Sequence, residues 1–233
     1  EIPSHKLNLR NDIVYEVNSQ IPFTGNEVQH YDTGEIRFKA SYKDGKREGE
    51  SISYYFSGQW DSKANYKKGQ LNGPYEQYFE NGQLNIKTTY KNGLQDGPEE
   101  SFYENGQLRS KVTYKNGLKD GPQEWYLDNG QLNIKTTYKN DVKDGPSEHY
   151  GLDGKLNAIN YYKNGLKIIY EMYNKNGQLL VTRTYKNDVQ DGPEEWFFEN
   201  GQLQMKSIYK NGLKDGPEES FYENGQLRSK VTY

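Results

Sequence analysis

The sequence predicts an all-β protein: an elongated, single-layer antiparallel β-meander built from tandem β-hairpin repeats of about 24 residues. Three observations lead there. Turn-forming pairs recur at Asn81, Asn105, Asn129, Asp153, Asn176, Asn200 and Asn224, each followed by Gly, in steps of 24 residues with one of 23. Short runs rich in Tyr, Thr, Ile and Val lie between them, and nothing holds a 3.6-residue period for long. The chain is also too polar for a thick core: hydrophobic residues are 32% and mean hydropathy is -1.16.

Low hydrophobicity alone is equally a mark of disorder. Against that stand 22 Tyr, 8 Phe and 3 Trp placed periodically, with a net charge of only -3. The balance of 30 Lys and Arg against 33 Asp and Glu leaves no basic stripe of the kind nucleic acid requires. No apolar run reaches the length of a membrane span. There is no Cys, so neither disulfides nor thiol chemistry enter. The chain begins at Glu1. A removed signal peptide or a shortened boundary would each explain that. Export or display at a bacterial cell surface is slightly favoured, and the wealth of Lys, Asn and Tyr suits an AT-rich bacterial genome.

Taken in order, residues 1–22 are atypical and read as an N-terminal cap, with a strand at Ile13-Val14-Tyr15 that Pro22 ends. The repeat array occupies 23–233. Its Tyr column, Tyr42, Tyr66, Tyr90, Tyr114, Tyr138, Tyr162, Tyr185, Tyr209 and Tyr233, marks about nine units. In each unit a first strand such as Pro74–Glu80 meets Asn81-Gly82, read as a two-residue type I′ turn. The return strand is Gln83–Tyr90, and a longer loop, Lys91–Gly97, leads to the next Pro.

That turn fixes the expected register. Phe79 pairs with Leu84, Tyr78 with Asn85 and Glu76 with Lys87. Because side chains alternate across a strand, one face carries Glu76, Tyr78, Asn85 and Lys87, a ladder of opposite charges repeated in every unit. If the longer loop is pseudo-symmetric, Lys87 also faces Glu100. The other face carries Gln77, Phe79, Leu84, Ile86 and Tyr90, and Trp60, Trp125 and Trp196 all project to it. Columns that stay constant carry packing; columns that vary are where a partner is specified. The column Ser53, Gln77, Ser101, Trp125, His149, Trp196, Ser220 varies most. Letter-identical copies, such as 97–114 and 216–233, point to recent duplication, so constancy partly reflects history. The unit 163–185 is irregular: it lacks one residue and the Gly-Pro, which predicts a bend, a bulge or a change of curvature.

Chemistry is sought without result. His5, His30 and His149 lie far apart with no Cys, so neither a zinc site nor a catalytic triad is expected. The Asp-Gly pairs lack the calcium-loop pattern and are ordinary turn chemistry. The glycines follow hairpins rather than a phosphate-binding loop. The expectation is a protein that is not an enzyme and has no cofactor and no metal.

The unit Tyr-x-x-Asn-Gly-Gln-Leu-x-x-Lys-x-x-Tyr-Lys-Asn-Gly-x-x-Asp-Gly-Pro resembles the variant MORN repeat. With the opening Pro22-Phe23-Thr24-Gly25 and Tyr31-Asp32-Thr33-Gly34-Glu35-Ile36, it is most similar to bacterial proteins grouped as YwqK-type antitoxins. The resemblance implies tandem hairpins in one twisted sheet and transfers no catalytic motif. Its members are associated with protein binding, membrane-proximal scaffolding and self-association. The functional expectation is a protein–protein scaffold whose binding residues are Trp60, Phe79, Tyr103, Trp125, His149, Trp196, Phe198 and Tyr222. Homo-oligomers through open sheet edges are a further expectation. The alternatives are an antitoxin that neutralises a cognate toxin and a glycan-binding surface protein.

Overall fold

The computed structural model describes residues 1–233 and is built of strands and turns, with one short 3-10 helix, Ser4–Lys6. It divides into two compact units, Glu1–Leu118 and Lys119–Tyr233. In each, consecutive antiparallel hairpins form a β-meander, as the repeat pattern predicts. The first unit runs through strands Gly25–His30, Ile36–Lys43, Lys46–Tyr54, Trp60–Lys67, Gln70–Tyr78, Leu84–Lys91, Gly97–Phe102 and Leu108–Lys115. The second runs from the strand that ends at Tyr126 to the last strand, Leu227–Thr232.

Each repeat uses two different turns, both Asn-Gly in a unit such as 73–97, and the type I′ turn is not the one expected. It falls at Asn92-Gly93, where Lys91 pairs with Leu94 and both central residues have positive φ, 51° and 82°. Asn81-Gly82 instead closes a three-residue loop. The Gly82 amide donates to the Phe79 carbonyl at 2.9 Å and the Phe79 amide to the Gln83 carbonyl at 2.8 Å. Only Gly82 has positive φ, 84°, the pattern of a type I turn followed by a left-handed glycine. Asn81 serves by its side chain, which accepts from the Gln83 amide at 2.9 Å.

The longer turn shifts the register by one, and a bulge shifts it back. Tyr78 pairs with Leu84 and Gln77 with Ile86, so Asn85 is the extra residue. Glu76 and Lys87 are partners as predicted, because the two displacements cancel between them and the turn. Nearer the turn the predicted faces are exchanged. Leu84 joins the Glu/Lys face opposite Tyr78, and the Asn85 position joins the other. Asp61 and Arg109 at that position reach Ser53 and Ser101, at 2.9 and 3.3 Å.

A wider bulge follows the type I′ turn. Leu94 and Gln95 pair with Lys91 and Tyr90, but Glu100 and Ser101 pair with Lys87 and Ile86, which leaves two extra residues around Gly97. Gly97 has φ 117°, a backbone that L side chains rarely adopt. Pro98 comes next, at a break in the ladder where its missing N–H costs least. The Asp-Gly-Pro signature is thus the chemistry of this bulge. The irregular unit inverts the expectation placed on it. Tyr161 pairs with Ile169 and Tyr162 with Lys167, so only Ile168 is extra. Losing one residue and the Gly-Pro narrows a bulge that every complete repeat carries.

Two residues, Ile2–Pro3, lie parallel on the first strand of the meander, and the hairpin Leu7–Arg10 with Ile13–Glu16 folds against the sheet. The Val14 amide donates to the Gly45 carbonyl at 2.9 Å, and the Gly45 amide to the Phe23 carbonyl at 2.7 Å. Here the first unit has its most enclosed packing: Phe23, Ala40 and Tyr42, with Ile2, Leu7, Val14 and Phe38 against them.

Candidate binding face

The Glu/Lys face is a structural ladder. Lys87 and Lys111 reach the Glu100 carboxylate at 2.8 and 3.3 Å from either side, which confirms the pseudo-symmetric pairing. In the second unit Lys135 pairs with Glu124 at 3.1 Å, Lys206 with Glu195 at 2.6 Å and Lys230 with Glu219 at 2.7 Å. The lysine hydrogen bond holds the Glu100 carboxyl below its ordinary value. Tyrosines two residues on add a second donor: Tyr78 to Glu76 at 2.5 Å and Tyr150 to Glu148 at 2.7 Å. Burial, then the carboxylate, pushes both phenols up to about 12. The ladder loses its lysines at Ile159 and Thr182, which flank Glu171. There Tyr161, standing where Thr137 stands one repeat earlier, donates to Glu171 at 3.1 Å alongside Tyr173 at 2.6 Å.

Trp60 lies on this ladder face, contrary to expectation. It pairs with Tyr54, its ring is 5.7 Å from that of Tyr78, and the Lys63 ammonium sits 2.9 Å from its centroid. The cause is the register change that moved the whole Leu column.

Trp125, His149 and Trp196 share a row on the opposite face. In the second unit that row reads, strand by strand, Trp125, Ile134, His149, Ala158, Met172, Val181, Trp196, Met205, Ser220 and Ser229. Trp125 and His149 share the partner Ile134, so they lie two strands, about 9–10 Å, apart. Trp125 is 42% exposed, while Val181, between Met172 and Trp196, is fully buried. Ile134, Met172, Val181 and Met205 complete the row. Ile134, Val181 and Met205 stand on return strands, whose column Ser62, Ile86, Ser110, Ile134, Ala158, Val181, Met205 varies as much as the outgoing one; Met172 stands on the outgoing strand of the irregular unit, 23 rather than 24 residues after His149.

Phe79, Tyr103, Phe198 and Tyr222 open the three-residue loops, each amide donating across to a glutamine carbonyl at 2.8–2.9 Å. Phe198 and Trp196 line a cavity of about 390 Å³ with Met205, Phe221 and Arg228. The Trp196 indole N–H is buried without an acceptor, and its ring lies 5.5 Å from the Arg183 guanidinium. Arg183 pairs with the buried Glu194 at 2.5 Å. His149 lies 3.5 Å from the Ser147 hydroxyl and 3.4 Å from the Asn160 amide. Burial first, then Lys143, lowers its pKa. The constant Tyr column is held by cations: Lys143, Lys167 and Lys214 stand 4.8, 3.8 and 5.0 Å from the rings of Tyr162, Tyr185 and Tyr233. Each such contact contributes about 0.5–1 kcal/mol.

This geometry offers aromatic and thioether side chains suited to apolar contact, bordered by Ser147, Asn160 and the Arg183–Glu194 pair. The repeat that builds it identifies the chain's family. The model of the MORN repeat variant matches residues 47–68, 71–92, 95–116, 119–140, 167–187, 190–211 and 214–233, well over half of the chain. The protein belongs to that family. A matched repeat such as 71–92 ends in a type I′ turn and holds the three-residue loop at its centre. No curated protein matches the chain. Among solved structures it is similar to a Photorhabdus luminescens Tc holotoxin pore with a mutant TccC3, at 11% identity and a TM-score of 0.18, over 94% of this chain and 14% of that one. It is also similar to TcdB2-TccC3, at 13% identity and a TM-score of 0.18, over 89% of this chain and 14% of that one. At that score neither likeness bears on function.

Proposed function

We propose that the protein is a non-catalytic repeat scaffold that binds another protein through the Trp125–Met205 row of its second unit. One observation carries this reading: a row from Trp125 to Met205 that is apolar except at His149, on a single layer of sheet, with Trp125 presented to solvent. Aromatic and Met side chains are enriched where proteins meet, and a few such anchors hold most of the binding energy. An antitoxin of the YwqK type is one form such a binder takes, its partner then being a cognate toxin.

The test is capture of partners on the immobilised protein from its source cells and their medium, with Trp125→Ala/Trp196→Ala beside it. Loss of a defined partner, with the far-UV spectrum and the hydrogen-exchange protection of the second unit retained, supports the proposal. Retention by the double variant contradicts it. Saturable retention on a glycan array, lost in the same variant, would assign the row to sugars instead.

A further inference from the structure

The first unit holds a second candidate site, unrelated to the aromatic row. Between the hairpin Leu7–Arg10/Ile13–Glu16 and the sheet is a cavity of about 790 Å³, within the range of small-molecule sites. Arg47 and the rings of Tyr42 and Tyr66 line it, with Lys46 and Lys68 also in the lining.

Arg47 departs from its own column. In three other repeats the Lys or Gln of that column reaches the residue four further on: Gln95 donates to Glu99 at 2.5 Å, Lys119 to Gln123 at 3.1 Å, and Lys214 pairs with Glu218. The residue four beyond Arg47 is Ser51, whose hydroxyl is turned to the Lys39 carbonyl. Arg47 therefore holds only two tyrosine hydroxyls, Nε to Tyr42 at 3.4 Å and one terminal nitrogen to Tyr66 at 3.3 Å. The guanidinium has five N–H donors, and no carboxylate lies within ion-pair distance of it. The rings of Phe38 and Tyr66, 5.1 and 5.2 Å away, hold it in place.

The carboxylates of the lining do not answer that charge. Glu27 is buried and already accepts from Ser4 at 2.5 Å, Gln29 at 3.1 Å and Tyr42 at 2.8 Å. Asp12, in the hairpin turn, is the other. Three cations thus stand against two carboxylates, one of them occupied, in a chain whose net charge is -3. The Lys46 and Lys68 ammonium groups form no ion pair.

We propose that this cavity binds a small organic acid, its carboxylate taken in bidentate fashion by Arg47 and its apolar body laid against the tyrosine rings. Planar, fork-like donors match carboxylates in this way, and Arg is the side chain suited to it.

The test is titration of the ¹⁵N-labelled full chain with sodium benzoate, and separately with inorganic phosphate, at constant ionic strength. Gly45 and Gly69, which line the cavity, report by their amide shifts. Saturable shifts with benzoate are expected, weakened about tenfold or more in Arg47→Gln, since a hydrogen bond to a charged group is worth at least that factor. A matching response to phosphate would widen the site to oxyanions generally. Non-saturating shifts, or equal affinity in Arg47→Gln, would overturn the proposal. Lys46→Gln/Lys68→Gln removes ammonium groups that hold nothing in the fold and should weaken binding about threefold, as partly screened charges do. Unchanged affinity there overturns the proposal whether or not Arg47→Gln folds.

Discussion

The same row of the repeat is filled differently in the two units. In the first it reads Gln29, Phe38, Ser53, Ser62, Gln77, Ile86, Ser101 and Ser110. Serines meet across the strands, Ser53 with Ser62 and Ser101 with Ser110, each pair at 2.6 Å. In the second the equivalent places hold Trp125, Ile134, His149, Ala158, Met172, Val181, Trp196 and Met205, and only its last pair, Ser220 with Ser229 at 2.7 Å, repeats the serine pattern. Both rows sit on one backbone pattern, with the same three-residue loop, one-residue bulge and type I′ turn. The difference teaches that these turns and bulges carry the fold, which leaves the row free to be a hydroxyl ladder or an apolar strip. Stability in such arrays is a sum of local terms, so each row should fail in its own way.

The largest effect expected is at the centre of the apolar row. Val181→Ala removes two buried methyl groups and leaves a void, at a cost of about 2 kcal/mol. Ser110→Ala, at the corresponding place in the first unit, breaks one hydroxyl pair and should cost about 1 kcal/mol. Hydrogen exchange should place each loss in its own unit; equal costs, or loosening spread evenly over the chain, would break the contrast. A smaller difference sharpens the part common to both units. Gly145→Ala and Gly97→Ala each force a side chain into a strained bulge backbone, about 1–3 kcal/mol. Gly145 should suffer more, since its new Cβ would meet that of Thr137 at 3.2 Å, against 3.9 Å to Thr89 for Gly97.

The smallest effect is with pH. The folded state keeps the His149 imidazole below its ordinary 6.5, so as pH falls the unfolded chain takes up that proton first. The second unit's stability is therefore complete above that value and declines as pH drops through the folded pKa. His149→Gln should remove this component of the acid sensitivity; an unchanged pH profile of the second unit's exchange would contradict it.

Much of the fold was legible because the turn residues are chemically specific. Asn-Gly marks a hairpin, and opposite charges at the right spacing gave Glu76 opposite Lys87. The use of each turn was not legible. Asn81-Gly82 and Asn92-Gly93 are the same dipeptide, and only the closing hydrogen bonds make one a three-residue loop and the other type I′. That ambiguity shifted the register by one and sent Trp60 to the wrong face, since a one-residue slip turns a side chain over. Trp125 and Trp196 were placed correctly because they lie beyond the bulge, where the register has been restored. The cations over the Tyr column and the cavity at Arg47 depend on contacts between neighbouring repeats, which the pattern of a single repeat does not reveal.

The two faces give the most direct test of the central claim, that the apolar row and not the charged ladder meets the partner. Partner capture should be compared for the wild-type chain, Trp125→Ala/Trp196→Ala and Trp60→Ala. The structure predicts that the double variant loses a partner that Trp60→Ala retains in full. Loss with Trp60→Ala, or retention by the double variant, would contradict it.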